Sequence, residues 1–385
     1  MRIGTSSGQS IESLQFLVQR AERGDAEAQA ALGSVLCLGI GVAEGFTEGI
    51  AWFHKAAVEG LAWAQFGLGF CYEAGKGVSQ DYNVAVEWFR KAAEQEYAPA
   101  YALLGLCYAN GRGVPKDDFE AAKLFHVAAE GGVAAAQTQL GAHYDSGRGV
   151  PQDHGEATKW YRRAAEQGDV YAQHALGLSY FNGQGVQQDY VEAAGWFKRA
   201  AGQGEVRSQV VLASCYHRGI GVNKDAVEAL KWVRKAAESG SAEAQFILGS
   251  IYADGDGVMK DEAEAFKWTL KAARQGLAAA QYYSGESFSR GRGVSMNHAE
   301  AIRWLGRAAE QGFATAQARL GAYHFAGESV PADVVEGYKW FLLAAKQGNA
   351  KAKEMCAMVP ASLTAEELAE GQSRAAAFTP TKRNL

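Results

Sequence analysis

Proline is scarce in this 385-residue chain, at 6 residues, and cysteine is scarcer still, at 5. So few prolines exclude a proline-rich rod or linker. Five cysteines (Cys37, Cys71, Cys107, Cys215 and Cys356) are too few, and odd in number, for a disulfide framework. An excess of one charge is also missing. With 38 Lys and Arg against 43 Asp and Glu, the net charge is −5, so no basic field gathers nucleic acid or anionic lipid. The uncharged run Tyr97 to Gly111 has 15 residues and contains Pro99, and the longest, Val170 to Gln188, has 19 but carries His174, Asn182 and four Gln. A membrane span needs about 20 apolar residues. Met1 to Arg20 is interrupted by Gly, Ser, Gln and Glu and has no apolar stretch of signal-peptide type. These absences predict a cytoplasmic protein with free thiols, and secretion by a leaderless route stays compatible with them.

Glycine and alanine are abundant, at 46 and 72 residues, and 48% of the chain is apolar, which excludes a disordered polymer. Leucines recur at Leu32, Leu68, Leu104, Leu140, Leu176, Leu212, Leu248 and Leu320, with Ser284 at the missing step and a constant spacing of 36. Nine units run from Gly24 to Gln347. Strict self-similarity of this length marks a solenoid, in which stacked units share one continuous core.

The unit Gly132 to Gln167 shows the pattern. Ala136, Leu140 and Tyr144 share one face of a first helix. Gly147-Arg148-Gly149 stops that helix, because glycine tolerates the positive φ such a stop needs. Asp153 with Glu156 reads as a capping-box variant opening a second helix, whose apolar face is Ala157, Trp160, Ala164 and Ala165. The excess glycine is therefore punctuation. Gly-x-Gly here follows a helix with no strand before it, which speaks against a phosphate cradle.

The pattern Leu-Gly-x-x-Tyr-x-x-Gly-x-Gly-Val-x-x-Asp-x-x-x-Ala-x-x-Trp-x-x-x-Ala-Ala-x-x-Gly resembles the Sel-like repeat family. Leu140 to Gly168 shows it fully, and Leu104 to Gly132 departs only by Leu124 at the Trp position. Glu96 replaces the terminal Gly in one unit. The expected fold is all-α: a right-handed superhelical solenoid of nine helix-turn-helix repeats over 24–347. Residues 1–23 form an N-terminal capping helix, 348–378 form C-terminal capping helices, and 379–385 are a flexible tail.

Chemistry is thinly represented. There is no His-Glu-x-x-His, Cys-x-x-Cys or Gly-x-Ser-x-Gly. Cys71, Cys107 and His143 share a register position, but stacked units hold equivalent residues about 8–10 Å apart. A zinc ion needs every ligand within about 2.3 Å. No metal, cofactor or catalytic residue is expected. Basic pairs such as Arg90-Lys91 and Arg162-Arg163 read as cations on a solvated helix end, complementing its dipole.

Eight of the nine tryptophans occupy one register position in the second helix and are expected in the core. Trp63 is off that register and shares a face with Phe66 and Phe70, opposite Ala64, Leu68 and Tyr72. The equivalent stripe carries Leu106 and Asn110 in repeat three and Tyr171, His174, Leu178 and Asn182 in repeat five. It carries Arg218 in repeat six and Arg290 in repeat eight. The family resemblance implies that first helices line a concave groove and that the protein is an adaptor in signalling, complex assembly or effector immunity. These eleven residues are therefore the expected contacts for a peptide or protein partner. An enzyme is the alternative, since cysteine-rich relatives imply a hydrolase of β-lactam or cell-wall type. The regular cysteine pairs of those relatives are absent here.

Overall fold

The computed structural model describes residues 7–39, 45–327 and 330–381, with only the backbone for 7–13. Among them there are 21 α-helices, one short 3-10 turn and no strand. Among the described residues no helix is long and apolar enough to cross a membrane. The chain forms two compact units, 1–199 and 200–385, with the boundary inside the helix Tyr190–Gly202.

Each repeat is a pair of antiparallel helices, nearly all of 13 residues. In repeat four these are Ala134–Ser146 and His154–Glu166. The first helix ends on Gly147 at φ 67°. Two residues on, Gly149 also has φ +67°, and a Cβ there would come within 1.9 Å of the Asp118 carbonyl oxygen of the preceding repeat. The turn glycine is thus required twice over, by backbone conformation and by close approach.

Asp153 Oδ1 accepts from the backbone N–H groups of Gly155 and Glu156, at 2.8 and 3.0 Å. The expected reciprocal half of the capping box is not made. Glu156 turns outward to Lys159 at 2.5 Å instead, and Glu264 does the same with Lys267 at 2.7 Å. A lysine one turn ahead on the solvated face offers a full charge, whereas the N-cap amide offers only a dipole. The complete reciprocal box occurs once among the described residues, at Thr364 and Glu367, opening the helix Ala365–Ala377.

The tryptophans sit at the edge of the core rather than at its centre. Trp160, Trp196, Trp304 and Trp340 are buried, whereas Trp52, Trp88, Trp232 and Trp268 are half-buried. The basic residue three positions on covers the indole face, as with Arg163 over Trp160 at 4.5 Å and Lys271 over Trp268 at 3.8 Å. Its neighbour in the basic pair reaches a tyrosine hydroxyl 18 residues ahead: Arg162 to Tyr180 at 2.6 Å, and Arg234 to Tyr252 at 2.8 Å. The basic pairs are tied into packing, beyond the dipole role expected of them.

The deepest row lies one residue past the tryptophans: Phe53, Phe89, Phe125, Tyr161 and Phe197 in the first unit. In the second unit the same row reads Val233, Thr269, Leu305 and Phe341.

Buried glutamines add a polar ladder. Gln137 donates to the Ala129 carbonyl at the end of the previous second helix, at 3.0 Å. Its own Oε1 accepts from Gln167 at 2.8 Å. Two members lack that second bond: Gln29 Oε1 and Gln209 Oε1 are buried without a partner. The positions that would supply the donor hold Glu59 and Ser239.

At the C-terminus, Ala350–Met358 and Ala365–Ala377 follow the last repeat. The expected loose tail is pinned at its start. Phe378 packs edge-on against Trp340 at 5.4 Å, and the backbone N–H of Thr381 donates to the Glu310 carbonyl at 2.9 Å. Residues 382–385 lie outside the described residues.

Candidate partner-binding clefts

Each unit has an open apolar cleft between successive first helices, and both occupy the same register position of the repeat, five repeats apart. The cleft of the first unit, about 290 Å³, lies between Ala26–Leu38 and Ala62–Ala74. Its walls are Leu38, Phe46, Phe53, Trp63, Phe66 and Phe70, with Ser34, Cys37, Cys71 and Lys76 among the remaining lining. The cleft of the second unit, about 430 Å³, lies between Val206–Arg218 and Ala242–Asp254. Val210, Ala213, Val233, Phe246, Ile247 and Ile251 form its apolar part.

Corresponding residues show how one scaffold makes two different sites. Phe53 becomes Val233, Phe70 becomes Ser250 and Lys76 becomes Asp256, while Phe66 and Phe246 agree. The first cleft is ring-lined with a cation at its mouth. The second has an aliphatic floor with charges of both signs at its rim. His217 Nδ1 lies 3.2 Å from Asp256 Oδ2, while Arg218 and Asp254 are exposed and form no ion pair among the described residues.

The structure brings three of the expected contacts together in the first cleft. Trp63 is held edge-on to Phe53 at 6.4 Å, and its indole N–H donates to Glu27 Oε2 at 2.9 Å. Phe66 leans on Tyr97 and Phe89, at 5.4 and 6.0 Å. Phe70 is left 43% exposed. Of this trio, Phe70 is the ring most available to a partner.

Arg218 lines the second cleft. The other expected residues line neither cleft. Tyr171 is 65% exposed, Leu178, Asn182, Asn110 and Arg290 are exposed, and Leu106 is half-buried. Asn110 Nδ2 is turned back to the Leu106 carbonyl at 2.8 Å, and Arg290 pairs with Glu286 at 2.8 Å. His174 is buried against the ring of Phe197 at 5.8 Å, because the packing row of repeat five reaches it from behind.

Sequence reasoning missed Cys37, Phe46, Phe246 and Ile247 as cleft residues. The usable signal was the column containing Phe197, where the aromatic side chain gives way to Val at 233. Cys37 and Cys71 touch each other in the first cleft. Burial pushes the Cys71 thiol up to about 12 and the Cys107 thiol to about 11. Both therefore stay protonated at neutral pH and are poor nucleophiles. His143 is buried and its Nδ1 faces the Arg148 carbonyl oxygen at 2.8 Å, closing the inter-helix turn. No cluster of three potential metal ligands occurs among the described residues.

The Sel1 repeat family model matches nine successive segments, from 26–60 to 314–349. Among solved structures, the Sel1 repeat protein of Oxalobacter formigenes is 31% identical with a TM-score of 0.60. That match covers 84% of this chain and 97% of that one. The protective antigen c5321 of uropathogenic Escherichia coli, which displays an SLR fold, is also 31% identical, with a TM-score of 0.54. It covers 95% of this chain and 94% of its own. No curated protein sequence matches the chain. Nine matched segments, each coinciding with one helix pair, place this chain in the Sel1-repeat family.

Proposed function

We propose that the protein is a non-enzymatic scaffold that holds a peptide or protein partner on the face formed by its first helices. Sel1 repeats typically build scaffolds for protein–protein contacts. The observation that carries the reading here is the recurrence of an apolar cleft at one register position in both units, with different linings. A core defect would have no reason to recur in register while its chemistry changes. A surface that reads different segments of a partner would. The raised thiol pKa values favour this reading over one in which Cys71 or Cys107 performs nucleophilic chemistry.

Affinity capture from the native source tests the proposal, comparing the wild type with Phe70→Ser and Ile247→Ser. These side chains are 43% and 37% exposed, so both variants should stay folded. A specific protein retained by the wild type and lost from either variant is the expected result. A partner set unchanged in both, with folding verified by circular dichroism, would move the interface off the first-helix face.

A further inference from the structure

In repeat five the ring of Phe197 fills a defined space. It lies 5.8 Å from His174 and 6.3 Å from Phe181, and so close to Gly177 that a Cβ there would fall within 2.6 Å of it. One repeat later the equivalent positions are Val210, His217 and Ala213, with Val233 in place of the ring. All four line the 430 Å³ cleft of the second unit. The Ala213 Cβ takes up the inner edge of that ring's place, and the smaller Val233 leaves the remainder open as the cleft. The two repeats that follow also lack the ring, but they fill the space themselves. Thr269 sits so close to Gly249 that a Cβ there would fall within 2.4 Å of its Oγ1, and Leu305 is fully buried in its row. The volume lies within the range of about 300–1,000 Å³ common for ligand sites.

The rim adds charge. Arg218 and Asp254 are the last residues of successive first helices, at equivalent register positions, and both are exposed and unpaired among the described residues. Neighbouring helices of a stack lie on the order of 10 Å apart. An extended peptide advances about 3.3 Å per residue and alternates its side chains. With the middle side chain in the cleft, the two flanking residues stand about 6.6 Å apart above opposite rims. Each charge pair has one long side chain, Arg218 on one side and the partner's Lys on the other, to span the remaining distance.

Resting on the scaffold reading above, we propose that this cleft is a socket for an aromatic side chain in an extended acidic–aromatic–basic segment of the partner. The partner's ring enters the cleft over Ala213 and beside Val233, its carboxylate meets Arg218, and its cation meets Asp254. The site is then specific for a ring flanked by opposite charges, in contrast to the ring-lined cleft of the first unit.

The probes are fluorescein-labelled nonapeptides carrying Asp-Phe-Lys or Lys-Phe-Asp in a Gly/Ser background, read by fluorescence anisotropy on the full chain. One of them should bind, and the same peptide with Ala for Phe should bind about tenfold or more weakly. Ala213→Gly/Val233→Phe restores the Gly–Phe pair that the other repeats already fold with, so it should fold, fill the socket and abolish binding. Arg218→Glu should weaken the Asp-Phe-Lys peptide and prefer Lys-Phe-Lys. The proposal is overturned if neither peptide binds up to about 1 mM, if the Phe and Ala peptides bind alike, or if binding survives in the filled variant. Loss of partner capture in Phe70→Ser or Ile247→Ser together with any of those results would leave the scaffold reading standing and remove only the socket.

Discussion

The two units solve the same packing problem with different side chains. The first stacks aromatic rings in its deepest row, from Phe53 through Phe197, each seated on a small residue of its first helix. The second replaces the ring with Val233, Thr269 and Leu305 before returning to Phe341. Where the ring is kept, specificity must come from residues above it, such as Phe70 and Trp63. Where it is lost, as at Val233, the core itself opens into a socket. A repeat can therefore acquire a binding site by deleting one packing side chain, without altering its helices, caps or turns.

The largest predicted effect removes a ring from the unit that depends on it. Phe89 is fully buried, and Phe89→Ala should destabilise the protein by about 3–5 kcal/mol in urea unfolding. Val233→Ala removes far less volume, from a buried side chain that borders the open cleft, and should cost less than half as much. Equal losses would break the contrast between the rows.

Next come the second glycines of the turn. Gly149→Ala would drive its Cβ to 1.9 Å from the Asp118 carbonyl oxygen, whereas at Gly257 the nearest atom, the Ala226 Cβ, is 3.2 Å away. Both positions share a positive φ, so the conformational cost is common to them. The Gly149 variant should be less stable than the Gly257 variant by about 2–3 kcal/mol, checked by the difference in urea midpoint.

A smaller gain should follow from completing the glutamine ladder in the second unit. Ser239→Gln supplies the donor that Gln209 Oε1 lacks, as Gln167 does for Gln137, and should stabilise by about 1 kcal/mol. The smallest effect is expected at Glu96, the one non-glycine residue with positive φ among the described residues, at 59°. Glu96→Gly relieves that strain and should raise the melting temperature slightly, corresponding to at most about 1 kcal/mol.

The helices, their stops and their caps were legible because they depend on residues within one repeat. Gly147, Asp153 and the Leu140 column each act through local backbone geometry, so a period of 36 exposes them directly. The clefts were harder to read, because an opening depends on what successive repeats fail to fill. Val233 looks like an ordinary apolar residue until it is set beside Phe197 and Ala213. Trp63, Phe66 and Phe70 were found by helical spacing alone, but spacing does not show that Phe66 is spent on Tyr97 while Phe70 stays free. His174 shares the stripe by spacing and is buried by the ring of Phe197, a contact between two helices that no single-helix periodicity contains. The Glu156 side chain shows the same limit, since the cap motif does not reveal that Lys159 competes for it.

The most direct test of the central claim is hydroxyl-radical footprinting of the protein with and without its captured partner, read at side chains of both faces. The account predicts protection of Phe70 and Ile247, on the first-helix face, with unchanged oxidation of the exposed second-helix residues Val127 and Val227. Protection confined to Val127 and Val227 would contradict it.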